Sequence, residues 1–396
     1  MKNVGRLAIM LVLLGTSLFS VAQDANYDEA KVGAYQLPES LVAIDGQKIL
    51  TKKAWEERRR PEILSLFEEH VYGKVPVQFD RIEFITTREE KNAMNGSAHL
   101  KEVTIRVHRN KDSVSINLVL FIPATAKKPA PAFLLINNRS AKNTSTKRDT
   151  ISGFWPAEEV IKAGYAIAAF QVNDAAPDHR DRYQNGMLRL YPELLAADNG
   201  IKAVGAWAWA ASRVMDYFEK DAAIDAKKIA IVGHSRGGKA SLWAAAEDQR
   251  FAICISNNSG NTGAALSRRN FGETVAVINS KFPHWFNKNY KKYNNNEAAL
   301  PVDQHMLIGL IAPRPVYAAS ASADLWADPK GTLLAMKHAE EIYQLYGIKS
   351  QLPEILPPVD TPVKNAYLGY HLRKGEHNLT PYDWQQYIKF ADNHFR

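Results

Sequence analysis

The stretch KKIAIVGHSRGGKASLWAAA, residues 227–246, sets Ser235 between Gly233 and Gly237, after a short apolar run and before an alanine-rich one. A serine hydroxyl attacks a carbonyl only when a base takes its proton and preset donors receive the developing negative charge. A Gly-x-Ser-x-Gly turn between a strand and a helix does part of that work. The glycines relieve a crowded turn, the serine stands above the sheet, and the helix start offers backbone N–H groups and a positive dipole end. Ser235 is therefore the candidate nucleophile of an acyl transfer. A serine that merely capped a helix would leave the flanking glycines unexplained.

A base and an acid must follow in chain order. Near the C-terminus the histidines are His371, His377 and His394. His377 lies in a polar, glycine-containing loop (RKGEHNLTPYDW) just before a final helix, the position expected of the base. His371 reads as a strand-end residue, and His394 falls inside the last helix. The acid belongs after the strand Arg314–Ala319, in SASADLWADPKG, where Asp324 and Asp328 compete. Asp324 is nearer the strand end and is preferred, because Asp328 precedes a proline and reads as a turn or N-cap residue. Glu376 reads as decoration beside the histidine. The one cysteine, Cys254, lies in an apolar strand and reads as an inert core thiol. No His, Cys and carboxylate cluster has metal-ligand spacing, so neither metal nor cofactor is expected.

The elements that must position these groups follow from periodicity. Residues 54–72 read as a helix, and 79–107 and 113–121 as alternating strands. Short apolar strands at 132–136, 165–170, 229–232, 252–256 and 314–319 then alternate with helices at 156–163, 199–218, 239–247, 331–345 and from Tyr382 onward. This pattern predicts an α/β fold, a mostly parallel central sheet flanked by helices, in the three-layer sandwich of the α/β-hydrolases. Without repeats or an interdomain linker, residues 23–396 are expected to form a single catalytic domain. Its β-rich N-terminal extension spans 23–125.

The chain has 396 residues, 46 % hydrophobic and 23 % charged, ordinary values for a globular protein. Lys2 and Arg6, the apolar run 7–21 and Ser20-Val21-Ala22 have the order of a signal peptide cleaved after Ala22, predicting a secreted or periplasmic protein. No later run has the length of a membrane span. The net charge is +8, and loss of Lys2 and Arg6 lowers it by two. The basic residues are scattered. The group at 288–292 reads as a solvated loop, so no nucleic-acid partner is expected, and a monomer is.

Several stretches together resemble carbohydrate esterase family 15, the glucuronoyl esterases. GHSRGGK at 233–239 is similar to that family's G-x-S-R-x-G-K signature. AWAWAASRVMDYF is similar to the tryptophan-rich helix before it, and SNNSGNTGAALSRRNFGETV, SADLWADPKG and GEHNLTPYDW match the style of bacterial members. The resemblance covers residues 130–396. It implies that Arg236 aims its guanidinium at the oxyanion, although a cation at a helix N-terminus opposes the dipole. It also implies that Lys239, Glu273 and Trp326 contact sugar, with Trp285 as a further platform. On residue type alone Trp326 reads as core and Glu273 as surface. Fungal members carry a glutamate acid where this chain has Asn258, which leaves the acid role to Asp324. The implied substrate is a glucuronic acid ester at glucuronoxylan–lignin links. The rivals are an acetyl-xylan or cephalosporin-type deacetylase on the same fold, a peptidase, and a non-catalytic carbohydrate-binding protein.

Overall fold

The computed structural model describes residues 25–363 and 366–396. The segment read as a leader lies outside them. After a helical stretch over 52–72, which includes α1 (Arg60–Phe67), the chain forms three long strands: β1 (Arg81–Ala93), β2 (Ala98–Arg109) and β3 (Asp112–Pro123). The α/β alternation then begins. In order come β4 (Ala130–Asn137), α2 (Ala157–Lys162), β5 (Ala166–Gln171), α3 (Val172–Ala175), α4 (Ala203–Phe218), β6 (Ile224–His234) and α5 (Arg236–Glu247). They are followed by β7 (Ile253–Asn257), α6 (Val275–Lys281), β8 (Val316–Ala321), α7 (Pro329–Gln344), β9 (Leu368–Arg373) and α8 (Pro381–Phe395).

These strands form one sheet in the order β1-β2-β3-β5-β4-β6-β7-β8-β9. β1, β2, β3 and β5 pair antiparallel, and every pair from β5 through β4 to β9 is parallel. The β-rich extension is thus an antiparallel wing of the same sheet. The parallel part is apolar on both faces. Along β4, Ala132, Leu134 and Ile136 join one core while Phe133 and Leu135 join the other. The first core takes in α4, α5 and α7, and the second α2 and α8. This two-sided burial is why the parallel strands read as unbroken apolar runs, and it gives the three layers of the α/β-hydrolase fold.

Most element boundaries move by a few residues, and four differences from the sequence reading matter. β6 starts at Ile224, five residues before the apolar run, and its first part is interrupted by Asp225, Lys227 and Lys228. α4 starts at Ala203. The helical stretch 52–72 contains two π-helical turns, Trp55–Arg59 and Glu68–Tyr72. The group at 288–292 lies in a 3₁₀ turn, Asn289–Tyr293, whose Tyr290 and Tyr293 are buried.

β5 and β6 lie on opposite sides of β4, so the chain reverses direction across the sheet there. In open α/β sheets the crevice outside the carboxyl ends of the strands at such a point is where ligands sit. The segments that follow β4, β5, β6, β7, β8 and β9 carry Arg139, Asp178 (beyond the short α3), Ser235, Asn258, Asp324 and His377 in turn.

Candidate active site

Ser235 joins β6 directly to α5 with φ +56° and ψ −127°. For a residue with a side chain this backbone costs on the order of 1–3 kcal/mol, which the surroundings must enforce. They do so by close packing. A Cβ on Gly233 would lie 1.9 Å from the carbonyl oxygen of Gly237, and one on Gly238 would lie 2.9 Å from Ser256 Oγ and from Ser259 Cβ. The Ser235 N–H donates to the Asn257 carbonyl at 2.8 Å, and its own carbonyl accepts from Gly238 N at 2.9 Å and Lys239 N at 3.2 Å. As the first residues of the helix, Arg236 and Gly237 have N–H groups with no partner inside it.

His377 Nδ1 lies 2.7 Å from Asp324 Oδ2. The aspartate is buried, while the histidine side chain keeps 37 % of its surface exposed. The His377 ring centroid is 4.5 Å from that of His234, the residue before Ser235, which places the His377 ring beside the elbow. His234 itself is fully buried. Its Nε2 faces Arg139 Nη2 at 3.1 Å and its Nδ1 faces Asn257 Oδ1 at 2.6 Å, and Asn257 Nδ2 donates to Tyr387 at 2.8 Å. A guanidinium can only donate, so Nε2 is the acceptor and Nδ1 carries the proton. Burial, with His377 and Arg139 nearby, pushes His234 well below the usual histidine range and keeps it neutral. Arg139 also donates to the His377 carbonyl at 3.3 Å, tying the His377 backbone to His234 at the elbow.

The competing residues sit elsewhere. Asp328 caps α7, accepting from Gly331 N at 2.8 Å and from Arg269 Nε at 2.9 Å. His371 lies within β9, fully buried, with Nε2 2.8 Å from Asp383 and Nδ1 3.0 Å from the Tyr317 hydroxyl. Asn258 has φ +44°, and its Nδ2 donates weakly to the Asn378 carbonyl at 3.5 Å while its buried Oδ1 has no partner. Cys254 is buried in β7, where burial pushes its thiol up to about 12.

One turn beyond the serine, Lys239 Nζ is 2.7 Å from Glu273 Oε2, both groups buried, and it also donates to the Asn261 carbonyl. Burial lowers the lysine, and Glu273 works in the opposite direction. Glu273 N donates to the carbonyl of the half-buried Trp326 at 2.9 Å, which joins the Glu273 backbone to the loop that holds Asp324. Lys281 Nζ lies 4.6 Å from the Trp326 ring centroid. Trp285 is only 2 % exposed, with its ring stacked at 3.8 Å on Phe282 and the Arg236 guanidinium 4.8 Å from its centroid. What it presents to the site is support for Arg236. The sequence reading missed Asp178, Arg139 and the His234–Asn257 relay, none of which lies in a recognisable motif. Among the described residues no group of three or more His, Cys, Asp or Glu side chains could hold a metal ion, and no helix is long and apolar enough to cross a membrane.

A family model described as glucuronyl esterase, fungi, matches residues 105–347. A carbohydrate esterase from an unknown prokaryotic organism is 40 % identical, covering 98 % of this chain and 98 % of its own. Among solved structures, a glucuronoyl esterase from Solibacter usitatus superposes with a TM-score of 0.86 at 38 % identity, covering 93 % of this chain and 100 % of its own. A protein described as a promiscuous CE15 esterase from a marine bacterial metagenome gives 0.86 at 39 % identity, covering 94 % and 100 %. The chain belongs to carbohydrate esterase family 15, the glucuronoyl esterases, and is a carboxylic-ester hydrolase of the α/β-hydrolase fold.

Proposed function

We propose that the enzyme cleaves esters of glucuronic acid or its 4-O-methyl ether with Ser235, His377 and Asp324 as its triad, and that its natural target is the ester between glucuronoxylan side chains and lignin alcohols. His377 takes the Ser235 proton as the hydroxyl attacks the uronate carbonyl. Asp324, on Nδ1, sets the tautomer and stabilises the imidazolium. The helix-start N–H groups and Arg236 receive the oxyanion. His377 then protonates the departing alcohol, and water releases glucuronate from the acyl-enzyme by the reverse proton movements.

The observation that carries this reading is the buried Lys239–Glu273 pair. Lys239 stands on the serine's own helix, one turn on, and Glu273 reaches it from the loop before α6, its backbone bonded to that of Trp326. Groups that bond hydroxyls there would meet a sugar on the acid side of the ester, which a deacetylase does not need. Benzyl glucuronate should therefore show a higher kcat/KM than p-nitrophenyl acetate. Lys239→Ala and Glu273→Ala should erode that ratio, because remote contacts help the transition state only when the sugar is present. Equal losses on both substrates would assign the pair to folding, and acetate preferred from the outset would favour the deacetylase. Cleavage after Ala22, export, a single catalytic domain over 23–396 and a monomeric state complete the proposal. N-terminal sequencing of the exported protein checks the first of these, with Gln23 as the expected start.

A further inference from the structure

Arg236 is anchored from outside its own helix. Its Nη1 donates to Asp178 Oδ2, in the loop after α3. The other oxygen of Asp178 accepts from His284 Nε2 at 2.9 Å and Trp285 Nε1 at 2.8 Å. The guanidinium carbon lies 4.8 Å from the Trp285 ring centroid and 5.4 Å from that of Phe282. These two rings are stacked parallel, making a floor under the cation. The Asp178 backbone is held in turn, its N–H donating to Asn173 Oδ1 at 3.0 Å. On Arg236 the Nε is buried and bonds no protein atom.

We propose that Asp178 is a positioning residue for ester hydrolysis. It grips one side of the Arg236 guanidinium and so holds the side chain in the single orientation that meets the oxygen about to become negative. The proposal rests on the reading of Arg236 as an oxyanion donor.

Two effects of Asp178 oppose each other. Its negative charge offsets part of the field Arg236 exerts on the oxyanion. Its grip removes the rotamer freedom of a long side chain before the reaction begins. The geometry favours the grip. The carboxylate charge is divided among three donors, while the cation sits on a flat aromatic floor that fixes its height but not its direction. Burial would raise the Asp178 carboxyl, yet His284, Arg236 and Trp285 together hold it at about 2, so the anchor is ionised throughout the working range.

The test is a double-mutant cycle on benzyl glucuronate, with Tm recorded for each variant. Arg236→Ala should lower kcat about 10²–10³-fold, as loss of one oxyanion donor does. Asp178→Asn, which keeps the shape but loses the charge, should lower kcat about 10–100-fold with KM little changed, the scale of a small misplacement. In the Arg236→Ala background the same change should have almost no effect, and Asp178→Glu should recover part of the rate. If Asp178→Asn fails to fold, Trp285→Phe keeps the ring and removes one donor, and its smaller loss should likewise vanish without Arg236. An unchanged or higher kcat in Asp178→Asn would overturn the proposal, as would equal losses with and without Arg236. An Arg236→Ala enzyme of full activity would remove the oxyanion reading and the positioning role together.

Discussion

Two His–Asp pairs stand at the carboxyl ends of β8 and β9, and their contrast says what makes such a pair useful. His377 and Asp324 meet at 2.7 Å, and His371 and Asp383 at 2.8 Å. Distance does not separate them. His371 has both ring nitrogens engaged, and Asp383 also accepts from Arg373 Nε at 3.0 Å and from Thr380. The whole assembly is buried and ties β9 to the first turn of α8. His377 is bound on Nδ1 alone and is partly exposed beside the elbow. A buried pair with every lone pair and proton assigned is a structural strut. The same pair with its second nitrogen turned to the partly exposed elbow can move a proton, the role proposed for His377.

The contrast can be broken at four points. The largest effect is expected from Ser235→Ala, which should reduce kcat by at least about 10³-fold while the thermal midpoint hardly moves, since only the group served by His377 is removed. A tenth of the rate surviving would refute the assignment. Next, Asp324→Asn should cost on the order of 10⁴ in kcat, the scale of an equivalent change in another serine hydrolase. Asp328→Asn keeps the cap but takes the charge from the buried Asp328–Arg269 pair, so it should lower stability by about 3 kcal/mol and leave the rate nearly intact. If the two aspartates exchange these phenotypes, Asp328 is the acid.

The other pair should behave in the opposite sense. His371→Ala should lower stability by about 1–3 kcal/mol, leaving the Tyr317 hydroxyl without its partner and Asp383 one donor short, while the folded fraction keeps its kcat. Chemical denaturation and active-site titration measure the two separately. The smallest effect concerns pH. Asp178 is held at about 2, well below its unfolded range, so its contribution to stability is complete above pH ~4 and is lost as pH falls towards 2. The Tm gap between wild type and Asp178→Asn should be constant from pH 8 to 5 and close in acid. A gap that widens in acid would contradict the ionised anchor.

Much of the fold was legible in the sequence because its signals are local. Two-sided apolar strands such as β4 need no partner to be read, and the glycines around Ser235 announce their own turn. Chain order then points to His377 and to the loop holding Asp324. Asp178 was not legible. Its segment, NDAAPDHRDRY, holds several charged residues of equal promise, and only the folded chain brings one of them to Arg236. Trp285 was ambiguous for a related reason. An aromatic ring suits a sugar or a core equally, and here Phe282 and Arg236 occupy its surroundings. The first half of β6 was missed because polar residues interrupt it, and its register against β4 is set by the sheet rather than by its own pattern.

The sealed position of Cys254 has a practical consequence. The chain's single thiol is buried in the sheet and held almost entirely protonated, so it should be silent to alkylating and maleimide reagents in the native protein. The natural sequence is thus already a blank background for site-specific labelling. A cysteine placed at the exposed Leu325 would be the one reactive thiol in the native molecule, and a fluorophore there would sit next to Trp326 and test whether substrate binds at that loop, without any prior removal of native cysteine.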